Sequence, residues 1–288
     1  MFQENASEWA LPYDGPPVVD RLHVTVAPGR QLSALRWGAT PPEVVLLHGG
    51  AQNAHTFDTV ALALRRSLLA IDLPGHGHSD AAPGGMGDVA GHARDVVAAL
   101  AALGVDRVPL VGMSLGGLVA LATAARAPAL VERLGMIDVT PGLTKEKSGH
   151  ITAFVNGPRS FESLDELVAR TVAHNPTRSE SSLRRGVLHN ALQLDDGTWV
   201  WRHQRFDPPE DAQPLDAPAL WDELSAVQVP LLLVRAMGPG SVIDGQDEAE
   251  FLRRQPSARV VHVADSGHSV QGDQPLVLAD VLAAFLDS

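Results

Sequence analysis

A serine between glycines, in Gly112-Met113-Ser114-Leu115-Gly116, is the strongest chemical signal in the chain. It follows an apolar run at residues 108–111 and precedes a helical pattern over residues 118–127. A serine on such a tight strand-to-helix turn presents its hydroxyl at the end of a sheet, and the glycines permit the sharp bend. The pattern predicts Ser114 as a nucleophile for acyl transfer, with a Gly-rich turn as the structural alternative.

A base must accompany this serine, because a hydroxyl is a weak nucleophile at neutral pH. Among the 12 histidines, His268 follows the apolar run 260–263 and precedes the last helical pattern. Its loop should open at the same end of the sheet as Ser114, and its place late in the chain suits this type of sheet. We predict His268 as the base, with an ordinary surface-loop histidine as the alternative.

A second glycine motif, His48-Gly49-Gly50, directly follows the apolar run 44–47. If that strand neighbours the one before Ser114, the N–H groups of Gly50 and Leu115 can together hold an oxyanion. We therefore predict an oxyanion hole from these two amides, with a plain Gly-Gly turn as the alternative. His48 itself is predicted to be structural.

The strands and helices that must position these residues can be recognised from the pattern of apolar residues. Two alternating segments, at residues 22–26 and 32–37, predict an antiparallel edge hairpin. Continuous apolar runs, typical of strands buried on both faces, follow at residues 44–47, 68–71, 108–111, 134–137, 231–234 and 260–263. Helical patterns lie between them, so we predict an α/β fold whose mostly parallel sheet has about eight strands flanked by helices.

The alternation stops between the sixth and the next strand. Helical spacing over residues 161–172 and a hairpin signal at Asp195-Asp196-Gly197 predict a mainly helical insertion at residues 142–227. The core then comprises residues 1–141 and 228–288.

Composition excludes several classes of protein. The net charge of −12 provides no basic surface for nucleic acid or anionic lipid, so neither partner is expected. The absence of cysteine rules out disulfides and thiolate sites. No signal peptide or membrane-spanning run is recognisable, and we expect a cytoplasmic protein. Oligomeric state is left open, with a homodimer as one option.

Four motifs occur in order: His48-Gly49-Gly50, the stretch Asp72-Leu73-Pro74-Gly75-His76-Gly77-His78-Ser79-Asp80, the serine motif, and Gly267-His268. Together they resemble the α/β-hydrolase superfamily over residues 22–286. The resemblance implies that the insertion is a lid. It also implies that the Asp72 loop is structural.

The acid that orients the base is harder to assign. Most members of the superfamily carry it after the strand that matches residues 231–234, yet that loop lacks an early aspartate and reaches Asp244 only late. Some members place the acid where this chain has Asp138, and a late Ser241 without an early aspartate resembles them. We favour Asp138 and keep Asp244 as the alternative.

The substrate pocket is predicted from residues beside the serine, the histidine and the insertion: Gly49, Met113, Trp199, Trp201, Val242 and Val270. His203 and Phe206 belong to the same aromatic group of the insertion. For the tryptophans, ordinary packing is the alternative. Arg202 and Arg205 are the basic residues that could meet an acidic substrate, with surface ion pairs as the alternative.

These residues predict a serine hydrolase that cleaves a small acyl substrate: a carboxylic ester, lactone or thioester. One alternative is a carbon–carbon bond hydrolase of a diketone-type substrate that uses the same triad. The other is a catalytically silent receptor or scaffold. No cofactor is expected, and no metal either, because no His, Asp or Glu cluster has metal-ligand spacing.

Overall fold

Strands and helices alternate along the chain in the computed structural model, which describes residues 1–38, 41–81, 83–175, 177–205 and 217–288. The strands are β1 (Val19–Ala27), β2 (Arg30–Trp37), β3 (Val44–Leu47), β4 (Leu68–Ile71), β5 (Val108–Met113), β6 (Val131–Ile137), β7 (Ser160–Phe161), β8 (Ala191–Gln193), β9 (Trp199–Trp201), β10 (Leu231–Ala236) and β11 (Arg259–Val263). The helices are α1 (Phe2–Glu8), α2 (Asp58–Leu64), α3 (Val89–Ala102), α4 (Leu115–Arg126), α5 (Lys145–Val155), α6 (Leu164–His174), α7 (Glu180–Asn190), α8 (Ala217–Ala226), α9 (Gly245–Arg254), α10 (Val270–Asp273) and α11 (Pro275–Leu286), with a 3₁₀ helix at Ala54–Phe57.

The central sheet has eight strands in the order β1-β2-β4-β3-β5-β6-β10-β11. Strand β2 runs antiparallel to both of its neighbours, and all other neighbours pair in parallel. The predicted edge hairpin, all six further strands and the α/β class are confirmed, but only five of those six strands are buried on both faces. Strand β11 lies at the edge of the sheet, and of its residues only Val263 is buried. Because β3, β5, β6, β10 and β11 are parallel, the loops that follow them all open at one end of the sheet.

Two hydrophobic layers cover the sheet. Along β3, Val45 and Leu47 pack into the layer of α3 and α4, while Val44 and Leu46 pack into the layer of α2 and α11. All four side chains are fully buried. The period of two thus places apolar residues on both faces, which explains why the strand appears as an unbroken apolar run.

The segment between β6 and β10 contains α5 to α8 and a small antiparallel sheet in the order β7-β9-β8. Helix α6 begins later than its pattern predicts, because Phe161 belongs to β7 and Ser163 caps the helix by accepting from the Glu166 N–H. Helix α8 packs against α4, with Leu220 and Leu224 in the main core. Its packing thus makes α8 part of the core layer. The predicted boundaries of the insertion, residues 142–227, stay a prediction.

The polar N-terminal stretch contains a helix that the sequence does not reveal. Helix α1 packs on α2, and Phe2 contacts Trp37 with ring centroids 5.1 Å apart. Seven residues are too few to display a convincing apolar stripe. Among the described residues, no helix is long and apolar enough to cross a membrane.

The close approach of α4 to β3 gives a test of the fold. A Cβ at Gly116 would overlap the carbonyl oxygens of Leu47 and His48, the second at 2.6 Å. We expect Gly116→Ala to lower the free energy of unfolding by about 1–3 kcal/mol, because backbone cannot give way as a side chain can. Urea unfolding measures this change.

The matched control is Gly149→Ala in α5, where a Cβ meets nothing within 4 Å. This variant should gain about 0.5–1 kcal/mol, because alanine favours a helix interior over glycine. Equal effects at the two glycines would contradict the close packing of α4 on β3.

Candidate active site

Ser114 occupies the turn between β5 and α4 with a backbone φ of +51°. Its N–H donates to the Ile137 carbonyl at 3.0 Å, which fixes the turn to the end of β6. A non-glycine residue in this region of backbone space is strained by about 1–3 kcal/mol, and such strain persists only where the surroundings enforce it. The hydroxyl lines a cavity.

His268 lies in the loop between β11 and α10, and its two ring nitrogens contact two different residues. Nε2 lies 2.9 Å from Ser114 Oγ, and Nδ1 lies 2.8 Å from Asp138 Oδ2. An ionised carboxylate can only accept, so Nδ1 carries the proton and Nε2 accepts from the serine hydroxyl. The structure therefore brings Ser114, His268 and Asp138 together in a continuous hydrogen-bonded row.

Asp138 directly follows β6 and is completely buried. Besides His268, its carboxylate accepts from the Ala236 N–H at 3.0 Å, the Ser241 hydroxyl at 2.7 Å and the Val242 N–H at 3.2 Å. These three donors belong to the end of β10 and the loop after it. The loop after β10, which has no early aspartate of its own, therefore supplies hydrogen-bond donors to the aspartate that follows β6.

Asp244 lies elsewhere and has a different function. Its carboxylate caps α9 by accepting from the Gln246 and Asp247 N–H groups, and it pairs with Lys147 at 2.8 Å. The hydrogen bond from Lys147 lowers the pKa of Asp244 to about 2. Its side chain is 51% exposed. The alternative acid is therefore a helix cap in this structure.

The loop after β3 approaches the serine from the neighbouring strand. The Gly49 N–H donates to Gln52 Oε1 at 3.2 Å, and both Gly49 and Gly50 line the cavity. Leu115 opens α4, so its N–H belongs to a first turn that has no partner inside the helix. Both predicted oxyanion donors thus lie at the correct end of the sheet.

Two buried histidines brace this loop. His48 Nε2 accepts from the Leu73 N–H at 2.9 Å, and its Nδ1 lies 2.7 Å from the Gly49 carbonyl. His76 Nε2 accepts from the Ala51 N–H at 3.1 Å, and its Nδ1 lies 2.9 Å from the Pro74 carbonyl. Each ring uses both nitrogens on backbone groups, which is a structural role.

A cavity of about 810 Å³ exposes Ser114 and His268. Of the predicted pocket residues, Gly49, Met113 and Trp201 line it. Three others do not. Val242 and Val270 are buried beside the acid and the base. Trp199 packs with Phe161 at the turn end of its hairpin, two residues before Trp201. Phe206 lies outside the described residues.

The predicted basic residues, Arg202 and Arg205, also stay out of the cavity wall. Arg202 Nε donates to the Ala191 carbonyl at 3.0 Å, and Arg205 donates to the carbonyls of Asn156 and Gly157 at 2.7 and 3.2 Å. Both arginines therefore connect segments of the insertion to one another.

Several wall residues were missed by sequence reasoning. Asn5 comes from α1 and Trp9 directly follows that helix, and besides the predicted His268 and the His203 of the aromatic group the wall includes four further histidines: His55, His150, His174 and His189. Only the fold assembles them, since they are up to about two hundred residues apart in the chain. Their number gave no signal in a chain with 12 histidines.

One group in this wall has the residue types of a metal site: His55, Asp58 and His189, whose ligand atoms lie within 4.8 Å of one another. The imidazole rings of the two histidines are stacked at 3.6 Å with an 11° interplanar angle. Imidazole lone pairs lie in the ring plane, so stacked rings do not converge on one ion. Arg21 also lies 2.9 Å from His55 Nε2. This arrangement does not fit a bound metal.

Buried neutral histidines make stability depend on pH. Burial lowers the pKa of both His48 and His203 to about 4. Across the interval from about pH 6.5 to 4 the unfolded chain binds more protons than the folded one, so the free energy of unfolding should fall as the pH falls. Urea unfolding at pH 7.5, 6 and 5 measures this dependence.

The variant His203→Phe keeps a ring against Trp201 and should give a shallower slope of unfolding free energy against pH. An unchanged slope would contradict the lowered pKa of His203.

Comparison with known proteins agrees with this geometry. Residues 44–281 match the family described as the alpha/beta hydrolase family. The chain is 41% identical over its whole length to the esterase Rv0045c of Mycobacterium tuberculosis, of which it covers 95%. It is 28% identical to the sn-1-specific diacylglycerol lipase ABHD11 of Mus musculus, over 86% of this chain and 82% of that protein.

A solved structure of Rv0045c, from work on its inhibition by transition metals, superposes with a TM-score of 0.85 at 40% identity, covering 100% of this chain and 97% of that one. The resemblance predicted from the motifs, and the esterase class with it, are confirmed by these relatives. The chain therefore belongs to the alpha/beta hydrolase family.

Proposed function

We propose that the chain is a serine esterase that cleaves carboxylic esters through an acyl-enzyme on Ser114. The observation that carries the proposal is the hydrogen-bonded row from Ser114 through His268 to Asp138, which opens onto a cavity. The relatives are named an esterase and a diacylglycerol lipase, which favours esters over lactones and thioesters.

In the first half-reaction, Ser114 Oγ attacks the ester carbon while His268 Nε2 takes its proton. The carbonyl oxygen becomes an oxyanion that accepts from the Gly50 and Leu115 N–H groups. Asp138 stabilises the imidazolium through Nδ1 without taking the proton. As the intermediate collapses, Nε2 returns the proton to the alcohol oxygen, the ester C–O bond breaks and the alcohol departs.

In the second half-reaction, water attacks the acyl-enzyme as His268 Nε2 removes one of its protons. The same two N–H groups hold the second oxyanion. The bond to Ser114 Oγ then breaks, the proton passes from Nε2 to Oγ, and the carboxylic acid is released. No step consumes a cofactor.

The other predictions have different support. Arg202 and Arg205 donate to backbone carbonyls, so they give no support to the carbon–carbon hydrolase alternative. We propose that the insertion serves as a lid, because Phe154 of α5 and Trp201 of β9 line the cavity above the serine loop. A cytoplasmic location and a homodimer stay predictions from the sequence.

The acid assignment gives a paired prediction. Asp138→Asn should lower turnover about 10⁴-fold, because the base loses the charge that fixes its tautomer. Asp244→Asn should keep turnover near that of the wild type and lose at most about 0.5–2 kcal/mol of stability from the weakened helix cap. Hydrolysis of 4-nitrophenyl butyrate and urea unfolding measure both; inactivation by Asp244→Asn alone would reverse the assignment.

The nucleophile has its own test. A fluorophosphonate probe should label the wild-type protein once and leave Ser114→Ala unlabelled while the variant keeps its circular dichroism spectrum. Ser269→Ala is the matched control, since Ser269 lines the same cavity and should leave labelling intact. Absence of labelling in the folded wild type would favour the silent scaffold.

A further inference from the structure

Two arginines of the insertion face the cavity. Arg178 precedes α7 and Arg185 lies on it, and both line the wall together with Ser114 and His268. A guanidinium in a cavity recognises carboxylates, provided that protein groups do not already use all of its donors. The two arginines differ in this respect.

Arg185 is fully occupied. It forms an ion pair with Glu8, its Nε donates to Asn5 Oδ1 at 2.6 Å, and its Nη1 donates to Ser181 Oγ at 2.7 Å. Its side chain is only 9% exposed. It therefore connects α7 to the N-terminal helix, and its charge is already balanced.

Arg178 has spare donors. Its Nη2 donates to Ser182 Oγ at 2.8 Å, whereas its Nε is buried without a hydrogen-bond partner among the described residues. The facing carboxylate, that of Asp273, lies 4.0 Å from Nε, beyond hydrogen-bond range. The other oxygen of Asp273 accepts from the Gly267 N–H at 2.8 Å.

The guanidinium also lies next to the segment that carries the base. It rests on Gly272, where a Cβ would lie 2.6 Å from Arg178 Nη1. Gly272 belongs to α10, which begins two residues after His268. Arg178 is therefore a cation with unused N–H groups, in the wall of the reaction cavity and against the helix that follows the catalytic loop.

We propose that Arg178 is a specificity residue that binds a free carboxylate of the substrate. The substrate class is then a carboxylic ester with a second, ionised carboxyl group, such as the half-ester of a dicarboxylic acid. This inference rests on the proposed esterase function, which it narrows. The carboxylate accepts from the N–H groups of Nη1 and Nη2 that no protein group among the described residues uses.

A carboxylate suits this position better than a phosphate. Asp273 faces Arg178 at 4.0 Å, so a dianion would meet more repulsion than a monoanion. The chain as a whole carries a net charge of −12, which repels anions in general. A local cation inside the cavity offsets that repulsion only for ligands that reach it.

Matched esters test the proposal. Mono-4-nitrophenyl adipate carries a free carboxylate, and methyl 4-nitrophenyl adipate is its neutral counterpart; uncatalysed hydrolysis is subtracted for both. We expect Arg178→Gln to lower the ratio of kcat/KM for the anionic over the neutral ester by about ten- to hundredfold, the worth of a charged hydrogen bond. Arg178→Lys should recover part of the ratio.

Arg184→Gln is the matched control, because Arg184 lies on α7, which Arg178 precedes by two residues, and pairs with Asp165 outside the cavity wall. Its ratio should equal that of the wild type. An unchanged ratio in Arg178→Gln, or an equal loss with both esters, would make Arg178 a structural tie and overturn the proposal. A higher kcat/KM of the wild type for the analogue in which a phosphonate replaces the free carboxylate would overturn the choice of carboxylate.

A binding measurement separates this inference from the proposed function. Calorimetry with monomethyl adipate compares Ser114→Ala with the double variant Ser114→Ala/Arg178→Gln, and needs no turnover. Weaker binding in the double variant supports the arginine site even if the wild type hydrolyses neither ester. Equal binding counts against the site even if the wild type is an active esterase.

Discussion

A carboxylate without any contact with water must have every acceptor satisfied by the protein, and Asp138 is such a group. Its four donors come from the end of β10, from two residues of the following loop, and from His268. The acid therefore joins β6, β10 and the last catalytic loop through one buried charge. The row to Ser114 depends on this arrangement, because the tautomer and orientation of the imidazole are set by its far nitrogen.

A second constraint is the lack of space where β5 turns into α4. Ser114 adopts a left-handed backbone conformation, and Gly116 lies against the carbonyls at the end of β3. The same close approach that rules out a larger residue at position 116 brings the Gly50 loop beside the serine. The packing of α4 on β3 thus brings Ser114 close to the residues whose N–H groups are the predicted oxyanion donors, Gly50 and Leu115.

The order of strands and the main residues of the site could be predicted from the sequence, because buried parallel strands leave continuous apolar runs and their loops share one end of the sheet. Most of the cavity wall could not be predicted, although Gly49, Met113 and Trp201 were. Arg178, Arg185 and the cavity histidines other than His268 occur in segments of ordinary polarity, and only the tertiary fold selects which of them face inward. The position of Trp199 was misjudged because a hairpin pattern gives the face of a residue but not its distance from the serine. Helix α1 was missed because a helix of two turns is too short to show an apolar periodicity.

The base is 154 positions along the chain from the nucleophile it serves, on a loop that follows the outermost strand of the sheet. No fragment that ends before β11 contains both partners. Contacts between such distant segments form late and with a high entropic penalty during folding. Recovery of esterolysis after dilution from denaturant is therefore a readout of the completed molecule, whereas the return of helical signal can come from locally formed segments alone.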